Sequence, residues 1–234
     1  MRVAAAGVLA IIAAIVLAAH GAASADESSP FPSPSPSSSA GPGQGGYALV
    51  GIDGLAGSGG QIPPSLASPS PAPFRAAGAT GYSIEIMGRM SPAYLALLHY
   101  EDVNVHGDDA AVESRFDVSA LRQFSSGRAA FGLGFVALQR STATSTSNGL
   151  GLGVALLPDL SRGVSVYGSA FVYPSLPSGT VRGALSVLRL GLTIAPARAT
   201  GVFARVGVTS QNFAATTFSP KSLTGVELGI GTSF

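Results

Sequence analysis

Along the second two-thirds of the chain, apolar side chains recur at every second position in short runs closed by turn residues. The run from Ser222 to Phe234 is the clearest. Thr224, Val226, Leu228, Ile230, Thr232 and Phe234 share one face, and Gly225, Glu227, Gly229, Gly231 and Ser233 share the other. A period of two sustained over a dozen residues is strand geometry. The preceding run repeats it, with Val202, Ala204, Val206 and Val208 opposing Phe203, Arg205, Gly207, Thr209 and Gln211. The same alternation marks strands over 81–90, 112–122, 128–140, 149–157 and 181–195. Segments 93–105 and 163–173 fit less cleanly.

These make nine strands after residue 80, and Tyr47 to Leu55 supplies a tenth. A strand of about 11 residues, tilted by about 40°, climbs roughly 28 Å, against a band of about 25 Å in an outer-membrane barrel. Closed single-chain barrels of that kind use an even strand number, so parity favours ten, with eight as the alternative. The expected fold is all-β, an antiparallel up-and-down transmembrane β-barrel.

The remaining segments set the domain boundaries. Residues 1–25 read as a signal peptide: Arg2, an apolar run from Val8 to Ala19, and a small-x-small site at Ala23-Ser24-Ala25. The apolar run is shorter than the ~20 residues that span a bilayer as a helix. Residues 26–46 form a Pro/Ser/Gly-rich tail that offers no side chains for a core and reads as disordered. Residues 47–234 form the barrel, with a Pro-rich loop over 57–80 and the core barrel over 81–234. External loops are expected near 106–110, 141–148, 174–180 and 212–220, with tight turns near 91–92, 124–127, 158–162 and 196–200.

Composition sharpens this picture. Only 11% of residues are charged, where a soluble domain carries about 25%. Lys221 is the sole lysine, which is too few for an ordinary solvated surface. A net charge of +1 gives no reason to expect nucleic acid as a partner. There is no cysteine, hence no disulfide framework. The face opposite the apolar set carries Gly, Ser and isolated charges, which suits a narrow lumen. Glu85, Arg89, Glu113, Arg115, Asp117, Arg189, Arg205 and Glu227 fall on it as a candidate charge network. Arg205 and Glu227, on adjacent strands, are expected partners.

The segment GVELGIGTSF, Gly225 to Phe234, resembles the terminal strand of bacterial outer-membrane β-barrel proteins. With the signal segment and the strand pattern it is similar to small barrels of the outer membrane protein A or porin-like type. The resemblance covers roughly residues 81–234. It implies an outer-membrane location, lipid and lipopolysaccharide as surroundings, and Phe234 as the signal read by the barrel-assembly machinery. The chain departs from that family in lacking Trp and in carrying the Pro/Ser tail.

Candidate chemistry is sparse. The strip Glu101, Asp102, Asn104, His106, Asp108 and Asp109 reads as a hydrated hairpin tip. Asp102, Asp108 and Asp109 are its nearest approach to a Ca²⁺ or Mg²⁺ ligand set. Arg140, Arg182 and Lys221 fall near external strand ends, where they suit either lipopolysaccharide phosphates or snorkelling at a membrane edge. The Gly149–Gly153 run lies in a strand and lacks the Lys-Ser/Thr of a phosphate loop. No catalytic residue, cofactor or metal is expected. The function read here is a non-enzymatic outer-membrane barrel with a structural or passive small-solute permeability role; the alternative is a soluble periplasmic or secreted barrel that binds a small ligand.

Overall fold

The computed structural model describes residues 45–58, 60–62, 72–74, 76–107, 111–124, 128–140, 146–178, 181–196, 201–215 and 218–234. The expected signal segment and nearly all of the Pro/Ser/Gly tail lie outside them. The described residues form twelve strands: β1 (Gly46–Ser58), β2 (Gly60–Ile62), β3 (Ala72–Phe74), β4 (Ala76–Ser91), β5 (Tyr94–Gly107), β6 (Ala111–Gln123), β7 (Ala129–Arg140), β8 (Ser147–Leu156), β9 (Val164–Ser178), β10 (Val181–Ile194), β11 (Val202–Ala215) and β12 (Phe218–Ser233).

Ten of these close into a barrel in the order β1-β12-β11-β10-β9-β8-β7-β6-β5-β4, every pairing antiparallel. The seam joins β1 to β12 from Tyr47↔Ser233 to Ser58↔Ser222. It is finished by paired backbone bonds between Gly46 and Phe234, N to O at 3.0 and 3.1 Å. Gly46 must be glycine here, since a Cβ would lie 2.4 Å from the Met87 carbonyl and 2.7 Å from the Phe234 ring. Carried once round the ring, the registers return to β1 displaced by about 12 residues. With ten strands, that stagger tilts them by about 40° and leaves backbones about 19 Å apart across the barrel, narrow enough for side chains to fill.

The strands are longer than the sequence pattern predicts, mostly at one end of the barrel, the loop side. β9 continues through the expected loop at 174–180 as far as Ser178. β11 and β12 leave only residues 216–217 between them, in place of a loop over 212–220. β4 begins at Ala76, inside the stretch expected to be loop, and β2 pairs with β3 as a small hairpin within the rest of it. Hydrogen bonding to a strand already in register extends a ladder past the point where side-chain alternation fades.

The outward face is apolar on strand after strand. Val50 and Ile52 on β1, Leu133 on β7, Leu150 and Leu152 on β8, Leu188 and Leu190 on β10, and Ile230 on β12 are each more than half exposed. The inward face is more apolar than the sequence suggests. Leu95, Leu97, Leu121, Val136, Phe171, Tyr173, Leu176, Leu185 and Val187 form one buried cluster on β5 to β10. Leu55, Ala79, Val103, Val105 and Leu223 form a second towards the loop side, and Tyr47, Leu49 and Phe203 a third towards the turn side.

Candidate functional site

Between those two end clusters lies a layer of buried charge. Alternation places Asp53, Glu85, Glu101, Arg115, Asp117, Arg189, Arg205 and Glu227 on the inward face, and each is 7% exposed or less. Arg205 on β11 is its centre. It donates through Nη1 to Glu85 Oε1 at 2.5 Å, and through Nη2 and Nε to Glu227 Oε1 at 2.5 and 3.1 Å. Its guanidinium also stacks 4.4 Å from the centroid of the Tyr167 ring. Glu227 is a neighbour across the β11–β12 ladder, as the sequence predicts. Glu85 is not: it sits on β4, three strands round the ring, and the contact spans the lumen between them.

A second group surrounds Arg115 on β6, which reaches Glu101 at 2.6 Å and Asp117 at 2.9 Å. Gln211 on β11 donates to both oxygens of Glu101 on β5, at 2.6 and 2.8 Å. Tyr173 on β9 donates to Asp117 at 3.2 Å, and Tyr47 on β1 to Glu85 at 2.7 Å. Arg189 on β10 stands 3.9 Å from both Glu85 and Asp117. His99 lies between Glu85, at 3.4 Å, and Glu101, at 3.9 Å. Several of these contacts run from wall to wall, so the polar layer is a plug and not a lining.

A small cavity lies beside it, bounded in part by His99, Asp117, Tyr173 and Arg189. At about 10 Å³ of space for water centres, it has room for about one water molecule. The ring nitrogens of His99 and Nη2 of Arg189 have no hydrogen-bond partner within the protein, so a polar occupant suits it.

Six of the eight residues read from the sequence as lumen charges meet in this layer. Arg89 does not: it is exposed at the turn-side end of β4, next to a register shift. Glu113 is buried on the same face as Arg115, one inward position nearer the loop side, opposite Arg140 in register. The strip from Glu101 to Asp109 is not a hairpin tip over its whole length, because β5 runs to Gly107. Alternation turns Glu101 into the lumen and Asp102 outwards, where Asp102 accepts from Tyr100 at 3.1 Å and Ser114 at 3.4 Å. Two residues on opposite faces of a strand cannot share an ion. Among the described residues no three His, Cys, Asp or Glu side chains are placed to hold a metal; Asp108 and Asp109 lie outside those residues. Arg140, Arg182 and Lys221 fall at the loop-side ends of β7, β10 and β12, three strands that are not neighbours, so their backbones do not gather into one phosphate site. Arg182 is exposed, and the side chains of Arg140 and Lys221 lie outside the described set.

Sequence reasoning missed Asp53, His99, Tyr173 and Gln211 as members of the layer and took Glu101 for a rim residue. The signal for Asp53 was present: it shares the inward face with Tyr47, Leu49 and Gly51. Comparison of the sequence with protein-family models and with curated proteins gives no match.

Proposed function

We propose that this chain is an outer-membrane β-barrel with a structural role, passing at most small solutes through a lumen that its own side chains close, and with no catalytic function. The observation that carries this reading is the pairing of an apolar exterior with a charged, buried interior. A soluble barrel has to dissolve its outer face in water. Here the outward row of β8, Leu150, Leu152, Val154 and Leu156, is apolar without interruption. Exposed to water, such a surface forfeits about 25 cal/mol for each Å²; against lipid it is at home. Strands of 10 to 16 residues, tilted by about 40°, rise roughly 25–40 Å, enough for a hydrocarbon band of about 25 Å. Tyr94 and Phe131 on the turn side, with Tyr82 and Tyr100 nearer the loop side, edge the outward face with aromatic rings.

The closed lumen favours structure over transport. The Arg205–Glu85 and Gln211–Glu101 contacts cross it, and apolar clusters lie towards either end. The expected location is the bacterial outer membrane, with lipid and lipopolysaccharide around the barrel and Phe234 presented to the assembly machinery. Planar-bilayer recording on the refolded chain tests the role. A quiet membrane, with folded barrel verified by circular dichroism, agrees with a structural protein. Frequent discrete steps of conductance refute a closed lumen. Recovery of the native protein in a detergent-free soluble fraction refutes the membrane reading and leaves a soluble ligand-binding barrel.

A further inference from the structure

The charges of the polar layer do not balance. Asp53, Glu85, Glu101, Asp117 and Glu227 are its buried carboxylates; Arg115, Arg189 and Arg205 are its buried guanidiniums. Arg205 serves Glu85 and Glu227, Arg115 serves Glu101 and Asp117, and Arg189 stands between Glu85 and Asp117. Asp53 has no such partner, and its Oδ2 has no hydrogen bond. It is paired in register with Glu227, so two carboxylates project from adjacent positions into the lumen. A buried carboxylate with no guanidinium in contact is among the costliest groups in a protein.

The surroundings are oxygen. Ser83 Oγ, fully buried, lies against Asp53 and has no other partner. It meets Glu227 above Gly51, where a Cβ would come 2.7 Å from Ser83 Oγ and 3.6 Å from Glu227 Cγ. Thr209 Oγ1, also buried and unpartnered, is on β11, opposite Gly225, one inward position from Glu227. Asp53, Ser83, Thr209 and Glu227 therefore sit on the continuous arc β11-β12-β1-β4. The nitrogens left without hydrogen-bond partners, on His99, Arg115 and Arg189, belong to β5, β6 and β10, and the Tyr167 hydroxyl, also without one, to β9.

We propose that Asp53, Ser83 and Glu227, with Thr209 at the edge, form a binding site for one alkali-metal cation inside the barrel. Hard oxygen donors are the ligands such a cation takes, and carboxylate with hydroxyl is a donor set that excludes soft metals. Arg205 pairs with Glu227, so Asp53 is the carboxylate of the site with no guanidinium in contact, and one such carboxylate fits a monovalent ion. The site rests on the barrel interior alone and holds whether the outer face meets lipid or not, so its failure is separable from failure of the membrane reading.

The test is thermal unfolding of the full chain, refolded in detergent micelles, in chloride salts of sodium, potassium or N-methylglucamine at equal ionic strength. Sodium or potassium should raise Tm by about 4 °C for each tenfold increase above the dissociation constant, and N-methylglucamine, too large to enter, should not. Asp53→Asn should abolish the difference, and Ser83→Ala should reduce the apparent affinity several-fold while retaining Asp53. A wild-type barrel with the same Tm in all three salts overturns the site, and means that a proton, not a metal ion, neutralises Asp53. Retention of the cation effect in Asp53→Asn overturns it equally. Should Asp53→Asn not fold, ²³Na line broadening on the wild type decides: broadening relieved by potassium supports the site, and its absence overturns it.

Discussion

Replacing Arg205 by Met removes the guanidinium at the centre of the polar layer and keeps most of the volume of its stem. Two carboxylates, Glu85 and Glu227, then lose their closest counter-charge. Glu227 is 1% exposed and Glu85 5%, so neither reaches bulk water. Glu85 keeps the Tyr47 hydroxyl at 2.7 Å, His99 at 3.4 Å and Arg189 at 3.9 Å, whereas Arg205 is the cation paired with Glu227. Removing one member of a buried ion pair costs about 3–5 kcal/mol, because the other charge is stranded. A pair in a water-filled channel is worth about 0–1 kcal/mol. The two descriptions of the lumen, plug and pore, thus differ by several kilocalories in one variant.

The assay is urea unfolding in lipid vesicles, followed by far-ultraviolet circular dichroism and by the mobility of unheated samples on gels, since the chain has no Trp to report by fluorescence. Arg205→Met should lose about 3–5 kcal/mol. Adding Glu85→Gln and Glu227→Gln to it should restore most of that loss by removing the stranded charges. A loss under about 1 kcal/mol refutes the dry plug. A large loss that the two Gln substitutions leave unchanged refutes the charge argument, and assigns the effect to the stacking of Arg205 on Tyr167.

Leu152→Arg, at a position 66% exposed on the outward face of β8, should cost about 2–4 kcal/mol in vesicles if that face meets hydrocarbon; a change within about 0.5 kcal/mol by urea titration is the result for a water-facing residue. Gly153→Ala should destabilise by about 1–3 kcal/mol, since its Cβ would fall 2.1 Å from the buried Phe171 ring. Gly54→Ala, whose Cβ meets nothing within 4 Å, should be neutral or slightly stabilising in the same titration. Asp159, in the turn between β8 and β9, is held below its ordinary pKa of 3.8 by the Ser161 hydroxyl, with help from the Ser161 amide and Arg162. Its depressed pKa gives stability that is present above the unfolded value and lost as pH falls through the folded one. Amide exchange in residues 158–162 should therefore quicken below the usual Asp range in the wild type, and Asp159→Asn should remove that pH dependence. Phe234→Ala should leave refolding in detergent intact, because its backbone bonds to Gly46 remain, while lowering the amount assembled in cells.

The outward face was legible because nothing competes with alternation there: Val226, Leu228 and Ile230 read as one row and form one. Parity gave ten strands where periodicity alone left β1 in doubt. β5 and β9 were obscure for a physical reason. Their inward positions, Leu95, Leu97 and Val103 on β5 and Phe171 and Tyr173 on β9, are as apolar as their outward ones, so the contrast that reveals a strand is absent. On β9 the register also slips opposite Gly183 and Leu185, which turns Leu176 inward out of phase with Tyr173. The polar layer was half legible. Arg205–Glu227 follows from adjacency in the ladder, but Arg205–Glu85 joins residues 120 apart in sequence and Gln211–Glu101 residues 110 apart. No local pattern carries information about which residues meet across a closed ring. That information arises only when the register of every strand is fixed.

Closure and stability are therefore one quantity in this barrel. A path past the polar layer needs the Arg205–Glu85 and Gln211–Glu101 contacts to part, because both cross the lumen. Parting them exposes the same buried carboxylates whose stranding sets the cost of Arg205→Met. If that cost is about 3–5 kcal/mol, the open form is populated at about one part in 150 to one part in 5,000. Conductance through the wild-type barrel is then confined to rare, brief openings, and variants that unbalance the layer should open about tenfold more often for each ~1.4 kcal/mol of closure they lose. The acidic excess on the β11-β12-β1-β4 arc gives those openings a sign: a lumen with more buried carboxylates than guanidiniums admits cations before anions.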